Sequence, residues 1–311
     1  MTKKTLLTAL LCVAALAVPH ARAGFPGANG PIVFVRTDGD GERARLYVRR
    51  NGTTAFLTKG TYPKWSSDGR WLLFARHLRQ TNLPLFRMRA DGTQMKQITD
   101  GSFGAHYGFD WSSDGQRIVY SNGSQIFIMN ADGSNAKQLT TGRGCKQEPA
   151  WSPDGSTIAY TSFPPRQGGI FLLPTCTGGI TDTSNLDISV IDQKGTSVVA
   201  LTDSPDIQET TPDWSPDGSR ILMTCRSTAR LKRGRICVLG SQGTGRVIFE
   251  RRGRITSPVW SPDGRRILFT FKPETEEDND AEVFVMRRDG TRVRQLTDNA
   301  SEDFAADWGP R

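Results

Sequence analysis

Hydrophobic residues in this chain fall into short alternating runs that end at turn residues. Val, Ile, Leu and Phe dominate runs such as Arg117–Ser121 and Arg266–Thr270, and Gly, Asp and Pro separate one run from the next. Alternation with a period of two residues predicts half-buried β-strands joined by tight turns, rather than helices. The pattern therefore predicts an all-β protein built from many short strands.

One phrase, Trp-Ser-(Pro/Ser)-Asp-Gly, recurs in phase along the chain. Its copies begin at Trp65, Trp111, Trp151, Trp214 and Trp260, with a degenerate copy at Trp308. The tryptophans are 46, 40, 63, 46 and 48 residues apart. A period near 45 residues is typical of the four-stranded blade of a β-propeller. The indole rings are expected to wedge between neighbouring blades, because a blade cannot bury both of its faces alone.

The two ends of the chain have complementary phases. Pro31–Arg36 matches the strand that follows each Asp-Gly, and Leu46–Arg50 and Thr54–Thr58 continue the same blade. Phe304–Trp308 supplies the innermost strand that this blade lacks. We therefore predict a six-bladed β-propeller of four-stranded antiparallel blades, with N- and C-terminal strands sharing one blade so that no sheet edge is left open.

At these residues the sequence resembles the TolB family of exported bacterial β-propeller proteins. The Trp-Ser-Pro-Asp-Gly phrase, the Asp-Gly hairpin turns and the Gln-Leu-Thr strand ends match that family's repeat over about residues 31–308. The resemblance implies a propeller that binds partners in the cell envelope, where TolB binds a peptidoglycan-associated lipoprotein. TolB also carries an α/β domain before its propeller, whereas only residues 24–30 precede the ring here, so we expect the propeller alone.

The first residues have the pattern of a signal peptide. Two lysines precede an apolar run over residues 6–18, and residues 21–23 have the small-x-small pattern of a cleavage site. The run is too short to cross a bilayer as a helix, which takes about 20 apolar residues. We therefore expect a signal peptide over residues 1–23, a propeller domain over residues 24–311, no membrane span, and a location in the periplasm or outside the cell.

The mild net charge and the absence of common catalytic motifs argue against nucleic-acid binding and against several classes of hydrolase. The formal net charge of +8 is mild and scattered, which argues against a nucleic-acid partner. The sequence contains neither Gly-x-Ser-x-Gly nor His-Glu-x-x-His, the motifs of serine hydrolases and zinc proteases. Only His77 and His106 follow the predicted signal peptide, too few for a three-histidine metal site. We expect a monomer without enzymatic activity.

Three aspartates immediately precede tryptophans in alternating blades. They are Asp110, Asp213 and Asp307. Carboxylates near a central channel could bind Ca²⁺, which takes oxygen ligands. Alternatively, each buried Asp accepts hydrogen bonds from a neighbouring turn. Both interpretations remain open, and no other cofactor is expected.

Four cysteines follow the predicted signal peptide. An even number in an exported protein predicts two disulfides. Cys225 and Cys237 fall on consecutive strands of one blade, and Cys145 and Cys176 lie near each other around a long insertion. We predict the pairs Cys145–Cys176 and Cys225–Cys237; a four-thiolate zinc site is the alternative.

Long, variable connections are expected on one face of the ring and short turns on the other. Function concentrates on variable loops held by a rigid scaffold, so we expect a protein or peptide partner of the cell envelope to bind the long-loop face. The side chains expected just before inner strands, at the channel mouth, are His106, Tyr107, Glu148, Glu209, Asp303 and Phe304. Two alternative functions are a hydrolase or lyase with a divalent cation in the channel, and a glycan or cell-wall binder.

Overall fold

A computed structural model describes residues 28–37, 44–78, 83–101, 108–163, 186–228, 232–240, 245–274 and 280–311. Within these ranges the chain forms β-strands and no helix, and the strands assemble into six four-stranded antiparallel sheets. No helix long and apolar enough to span a membrane occurs in the described part of the chain. The six sheets are the blades of one ring, which confirms the predicted six-bladed β-propeller.

The strands are numbered along the chain, and each blade takes four of them. Blade 1 contains β1 (Asn29–Thr37), β2 (Arg45–Arg50), β3 (Thr53–Lys59) and, from the other end of the chain, β24 (Glu302–Pro310). Blade 2 contains β4 (Thr61–Trp65), β5 (Trp71–Ala75), β6 (Leu85–Arg89) and β7 (Lys96–Gln97). Blade 3 contains β8 (Phe109–Trp111), β9 (Arg117–Asn122), β10 (Gln125–Asn130) and β11 (Lys137–Gln138).

The second half of the ring repeats this arrangement. Blade 4 contains β12 (Lys146–Trp151), β13 (Thr157–Ser162), β14 (Asp187–Asp192) and β15 (Val198–Ala200). Blade 5 contains β16 (Ile207–Trp214), β17 (Arg220–Ser227), β18 (Arg233–Gly240) and β19 (Gly245–Arg252). Blade 6 contains β20 (Arg254–Trp260), β21 (Arg266–Lys272), β22 (Glu282–Arg287) and β23 (Arg294–Gln295).

The C-terminal strand closes the ring. β24 pairs antiparallel with β1 and supplies the innermost strand of blade 1, as the phases of the two chain ends predicted. Arg36 and Asp303 are opposite each other in this pairing, and the guanidinium donates two hydrogen bonds to the carboxylate, Nε to Oδ1 at 2.7 Å and NH2 to Oδ2 at 2.6 Å. The side chain of Asp303 is 0% exposed. A bidentate, buried ion pair therefore joins the two ends of the chain.

A buried apolar cluster fills each interface between neighbouring blades. Trp65 of blade 2 packs with Val35 and Leu46 of blade 1, and Trp308 packs with Leu268 of blade 6. The tryptophans of the other copies occupy the same place at the remaining interfaces. The indole rings thus lie between blades, as the repeat predicted.

The serine and aspartate of the repeated phrase fix the turn that follows each inner strand. In the first copy, Ser66 Oγ donates to Asp68 Oδ1 at 2.6 Å and accepts the backbone N–H of Trp71 at 2.9 Å. Gly69 follows with φ of +67°, a value that a residue without Cβ adopts at no steric cost. The same serine bonds recur at Ser112, Ser152, Ser215 and Ser261.

The threonine of each Gln-Leu-Thr phrase caps a strand rather than extending one. Thr99 Oγ1 accepts the N–H of Leu85 at 2.9 Å, at the start of β6. Equivalent bonds are made by Thr140, Thr202 and Thr297. The sequence pattern places these threonines in the outermost strands, but β7 and its equivalents end earlier. The threonine side chain satisfies an N–H on the third strand instead, so it lies outside the outermost strand.

Candidate functional site

The inner strands of the ring share a bulge three residues before each tryptophan. The residue there has a positive φ of 47° to 55° in five blades and is a glycine in the sixth; these residues are Tyr62, Gly108, Glu148, Thr211, Ser257 and Ala305. Register shifts occur at the same place, for example between Thr210 and Asp213 in β16. A β-bulge bends its strand and re-aims the side chains that follow. The bulges therefore set the direction of the residue just before each tryptophan.

Three of those re-aimed residues are the predicted aspartates, and each carboxylate bonds to the next blade. Asp307 Oδ2 accepts the backbone N–H of Trp65 at 2.8 Å. Asp110 Oδ2 accepts that of Trp151 at 2.8 Å. Asp213 Oδ2 accepts that of Trp260 at 2.8 Å, so equivalent bonds occur at alternate blade interfaces. Each aspartate thus fastens its own blade to the following one.

A lysine from a fourth blade faces these carboxylates. Lys64 occupies the position before Trp65 in β4, and its Nζ lies 3.5 Å from Asp307 Oδ1. Burial lowers the pKa of Lys64, but the charges of Asp307, Asp213 and Asp110 outweigh burial and raise it overall. Lys64 is therefore held as the ammonium ion.

Burial acts in the opposite direction on two of the aspartates. It raises the pKa of Asp110 to about 6 and that of Asp213 to about 7, although Lys64 and the backbone hydrogen bonds favour the charged forms. If all four groups are ionised, one positive charge faces three negative charges. This end of the channel therefore carries excess negative charge that protons relieve near neutral pH.

The four side chains line a small cavity at the channel end where the short turns lie. The cavity has a volume of about 40 Å³ and is also lined by Trp111, Pro216 and Pro262. A polar cavity of this size has room for a few waters. In the described part of the chain, no three His, Cys, Asp or Glu side chains are grouped so as to hold a metal ion. Calcium binding by the three aspartates stays a prediction.

The residues expected at the channel mouth have separate surroundings. Glu148, Glu209 and Asp303 lie inside the inner strands β12, β16 and β24, and not before them as the sequence pattern indicates. The reason is that these strands continue past the bulge, as the pairing of Lys146 with Ser162 shows in β12. Asp303 is buried in its ion pair with Arg36.

Glu148 and Glu209 are both held near the interface of blades 4 and 5. Glu148 Oε2 accepts the N–H of Thr211 at 2.8 Å and the hydroxyl of Thr161 at 2.9 Å. Glu209 is buried, and its Oε2 atom has no hydrogen-bond partner among the described residues. Burial raises the pKa of both carboxyl groups. Glu148 therefore links two blades, as the three aspartates do at the other end.

Several predicted residues do not meet at one site. Phe304 is partly buried against the apolar cluster of blades 1 and 2. His106, Tyr107 and Cys176 lie outside the described residues. Cys225 and Cys237 form the predicted disulfide. Cys145 is also disulfide-bonded, and its pairing with Cys176 stays a prediction.

Sequence reasoning missed Lys64 as a member of the channel group. The signal was present, because Lys64 immediately precedes a repeat tryptophan, as the three aspartates do. The bulges carried no signal, since Tyr62, Glu148 and Thr211 share no side-chain property.

Comparison with known proteins identifies structures that have the same fold. No protein-family model matches the chain. An uncharacterized protein of Agrobacterium fabrum is 32% identical over 122 residues, which cover 33% of this chain and 40% of that protein. The match thus spans only two fifths of the relative's length.

Two solved structures share the propeller. TolB from Acinetobacter baumannii superposes with a TM-score of 0.72 at 19% identity, over 91% of this chain and 67% of that one. A protein of Agrobacterium tumefaciens described as TolB superposes with a TM-score of 0.63 at 18% identity, over 92% of this chain and 100% of that one. The chain therefore has the TolB-type propeller fold.

Proposed function

We propose that the chain is an exported propeller that binds a protein or peptide partner in the bacterial cell envelope. The partner binds the face that carries the connections between the second and third strands of the blades. The TolB-type fold supports a binding role by analogy, because propellers of this type are scaffolds on which function is set by the loops.

One contrast between the two faces carries this proposal. The connection after the inner tryptophan has five residues in each of blades 2 to 6, as between Trp65 and Trp71 or between Trp260 and Arg266. The connections from second to third strand span residues 38–44, 76–84, 123–124, 163–186, 228–232 and 273–281, so their lengths run from two to 24 residues. The uniform turns serve the fold. The variable connections are the part of a propeller in which partner recognition usually differs from one protein to another.

The rigidity of the ring favours binding at this face. Closure by β24, the blade-to-blade bonds of the aspartates and the interface clusters hold the ends of every connection in place. A partner therefore orders few groups of the scaffold when it binds, and less of the interaction free energy is lost to entropy.

An apolar side chain on this face can act as an anchor. Leu78, which follows β5 in the connection to β6, is 49% exposed. Exposed apolar side chains surrounded by polar residues are common at protein interfaces. We expect Leu78 to be buried by the partner.

Capture of envelope proteins on the immobilised full chain tests this proposal. The variant Leu78→Ser should reduce recovery of the partner several-fold, because it removes apolar contact area. Val293→Ser is the matched control, since Val293 is an exposed apolar residue after the Asp289-Gly290 turn, on the opposite face. Equal loss in both variants, or loss only in Val293→Ser, would count against the long-loop face.

Export is tested separately. The predicted signal peptide and the Cys225–Cys237 disulfide support an oxidising compartment. Mass spectrometry of the protein from a bacterial host should find a mature N-terminus at Gly24, in the periplasmic or extracellular fraction. An uncleaved chain in the cytoplasm would contradict this part of the proposal.

A further inference from the structure

Three arginines share one face of blade 6 near the turn side of the ring. Arg266 of β21 is directly opposite Arg287 of β22. Arg294 of β23 is opposite Val285, which lies on the same face of β22 as Arg287 because the two are separated by two residues. All three arginines are exposed. Since Val285 packs in the cluster between blades 6 and 1, the three guanidinium groups belong to the side of blade 6 that faces blade 1.

Blade 1 adds a fourth arginine at the same blade interface. Arg49 of β2 is two residues from Tyr47, and so lies on the same face of the strand. Tyr47 packs against the same cluster as Leu296, which is two residues from Arg294. Arg49 therefore follows Tyr47 on the face of blade 1 that packs against blade 6. Arg294 precedes Leu296 on the face of blade 6 that packs against blade 1. Arg49, Arg266, Arg287 and Arg294 are called the arginine groove below.

Within the described ranges, the charges of the arginine groove have no ion-pair partner. Among the described residues, no carboxylate oxygen lies within 4.0 Å of a guanidinium nitrogen of these four side chains. Asp263 and Asp289 lie near Arg266 and Arg287, whose charges favour the ionised form of these carboxylates. Both are held in their own turns, Asp263 by Ser261 and Asp289 by Thr291. Arg49 donates to the hydroxyl of Thr54, at 3.4 Å.

The neighbouring blade shows what paired arginines look like in the same ring. In blade 5, Glu250 accepts from Arg233 at 2.8 Å and from Arg235 at 2.6 Å. Arg251 is placed over the ring of Phe271, 4.5 Å from its centroid. Among the residues that the structure describes, the arginine groove has neither kind of partner, so its positive charge is open to a ligand.

We propose that the arginine groove binds a phosphate-bearing ligand. Like charges directly opposite on antiparallel strands destabilise a sheet, so the Arg266–Arg287 pair costs stability until an anion lies between them. Guanidinium groups bind phosphate through two parallel N–H···O hydrogen bonds, and a phosphate group carries enough charge and acceptors for several of them. The ligand is either a soluble phosphate compound or the headgroup of an anionic lipid. This site is separate from the long-loop face and does not depend on the function proposed there.

Thermal unfolding of the full chain in inorganic phosphate tests the site. At 20 mM phosphate, compared with chloride of equal ionic strength, the melting temperature of the wild type should rise by about 3 °C. The variant Arg287→Gln should lose this rise. It should also melt no lower than the wild type in chloride, because it removes the like-charge contact. Arg220→Gln is the matched control, since Arg220 holds the position of Arg266 in blade 5 but is opposite Gly240.

The outcomes separate the ligand sources and the failure of the proposal. Sedimentation with phosphatidylglycerol vesicles, lost in Arg287→Gln and kept in Arg220→Gln, would assign the phosphate to a lipid headgroup. A phosphate-dependent rise without vesicle binding would assign it to a soluble compound. No rise in the wild type, or an equal rise in all three proteins, would overturn the proposal, because an equal rise reflects only the general effect of phosphate on protein hydration.

Discussion

Three buried aspartates and one lysine show how single residues join the blades of this ring. Asp110, Asp213 and Asp307 each accept a backbone N–H from the next blade. The gain is a hydrogen bond to a charged acceptor, which is stronger than a neutral one. The cost is desolvation, which the charge of Lys64 offsets only in part for Asp110 and Asp213, whose pKa values stay raised.

Stability should therefore rise as the pH falls from 8 to 5. The pKa of Asp213, about 7, and that of Asp110, about 6, lie above the value of an unfolded aspartate, about 3.9. The folded chain consequently binds protons more tightly than the unfolded chain, and the stabilisation is lost as the pH rises through 6 and 7. For Asp213 the difference is about 2–3 kcal/mol. It is measured from urea unfolding at pH 5 and pH 8.

Asp213→Asn isolates this contribution. The amide oxygen can still accept the N–H of Trp260, but it does not titrate, so the pH dependence should flatten. Asp289→Asn is the control, because Asp289 is exposed and bonded within its own turn. The same pH dependence in the wild type and in Asp213→Asn would show that Asp213 does not titrate in this range.

At the scale of elements, the turn after the third strand of blades 3, 4 and 6 comes close to the backbone at the outer edge of the preceding blade. Gly290 in the β22–β23 turn has φ of +86°, and a Cβ there would lie 1.9 Å from the carbonyl oxygen of Ile248 in β19. Gly133 and Gly195 make the same approach to Ile98 and Leu139. Glycine is required at this turn because the neighbouring backbone fills the space of a side chain.

Gly290→Ala should therefore destabilise the protein by about 3 kcal/mol, since backbone atoms have to move as well as φ. Gly52→Ala is the matched control. Gly52 has φ of +87° but no atom within 4 Å of its Cβ position, so only the conformational cost of about 1 kcal/mol is expected. Denaturant midpoints give both values, and similar losses in the two variants would contradict the close packing between blades 5 and 6.

The Cys225–Cys237 disulfide joins the two central strands of blade 5. Its cysteines are 12 residues apart in sequence and lie on β17 and β18. Closing a loop of this length in the unfolded chain is worth about 2–3 kcal/mol. The double variant Cys225→Ser with Cys237→Ser should lose that amount in denaturant unfolding. A loss within experimental error of zero would mean that strand pairing alone holds blade 5.

The strands and turns could be predicted where the same side chain makes the same packing contact or hydrogen bond in each blade. Trp65 and its equivalents mark the blade interfaces, and the Ser and Asp that follow each of them mark the turn. The bulges were not predictable, because positive φ at Tyr62 or Glu148 is imposed by the curvature of the inner strand and not by the residue type. Glu209 was expected just before its inner strand, but β16 begins at Ile207 and continues through the bulge.

At the scale of the whole molecule, the sequence was informative about the ring and less so about the site. The complementary phases of the chain ends predicted the shared blade. The ion pair of Arg36 with Asp303 could not be read from the sequence, since 267 residues separate its partners. Asp303 was instead expected at a binding site. The arginine groove was missed because Arg49 comes from the opposite end of the chain from Arg266, Arg287 and Arg294, and only closure brings them to one interface.

Closure of the ring by β24 underlies the rigid face, the channel group and the arginine groove. Deleting residues 302–311 removes this strand, with Asp303, Asp307 and Trp308, and opens the ring. We expect the deletion to lower the melting temperature by more than about 10 °C, with circular dichroism and tryptophan fluorescence changing together, because every blade depends on its neighbours. Removing Arg311 alone is the control and should leave the midpoint near that of the full chain. An unchanged midpoint and unchanged cooperativity after deletion of residues 302–311 would contradict the closed ring.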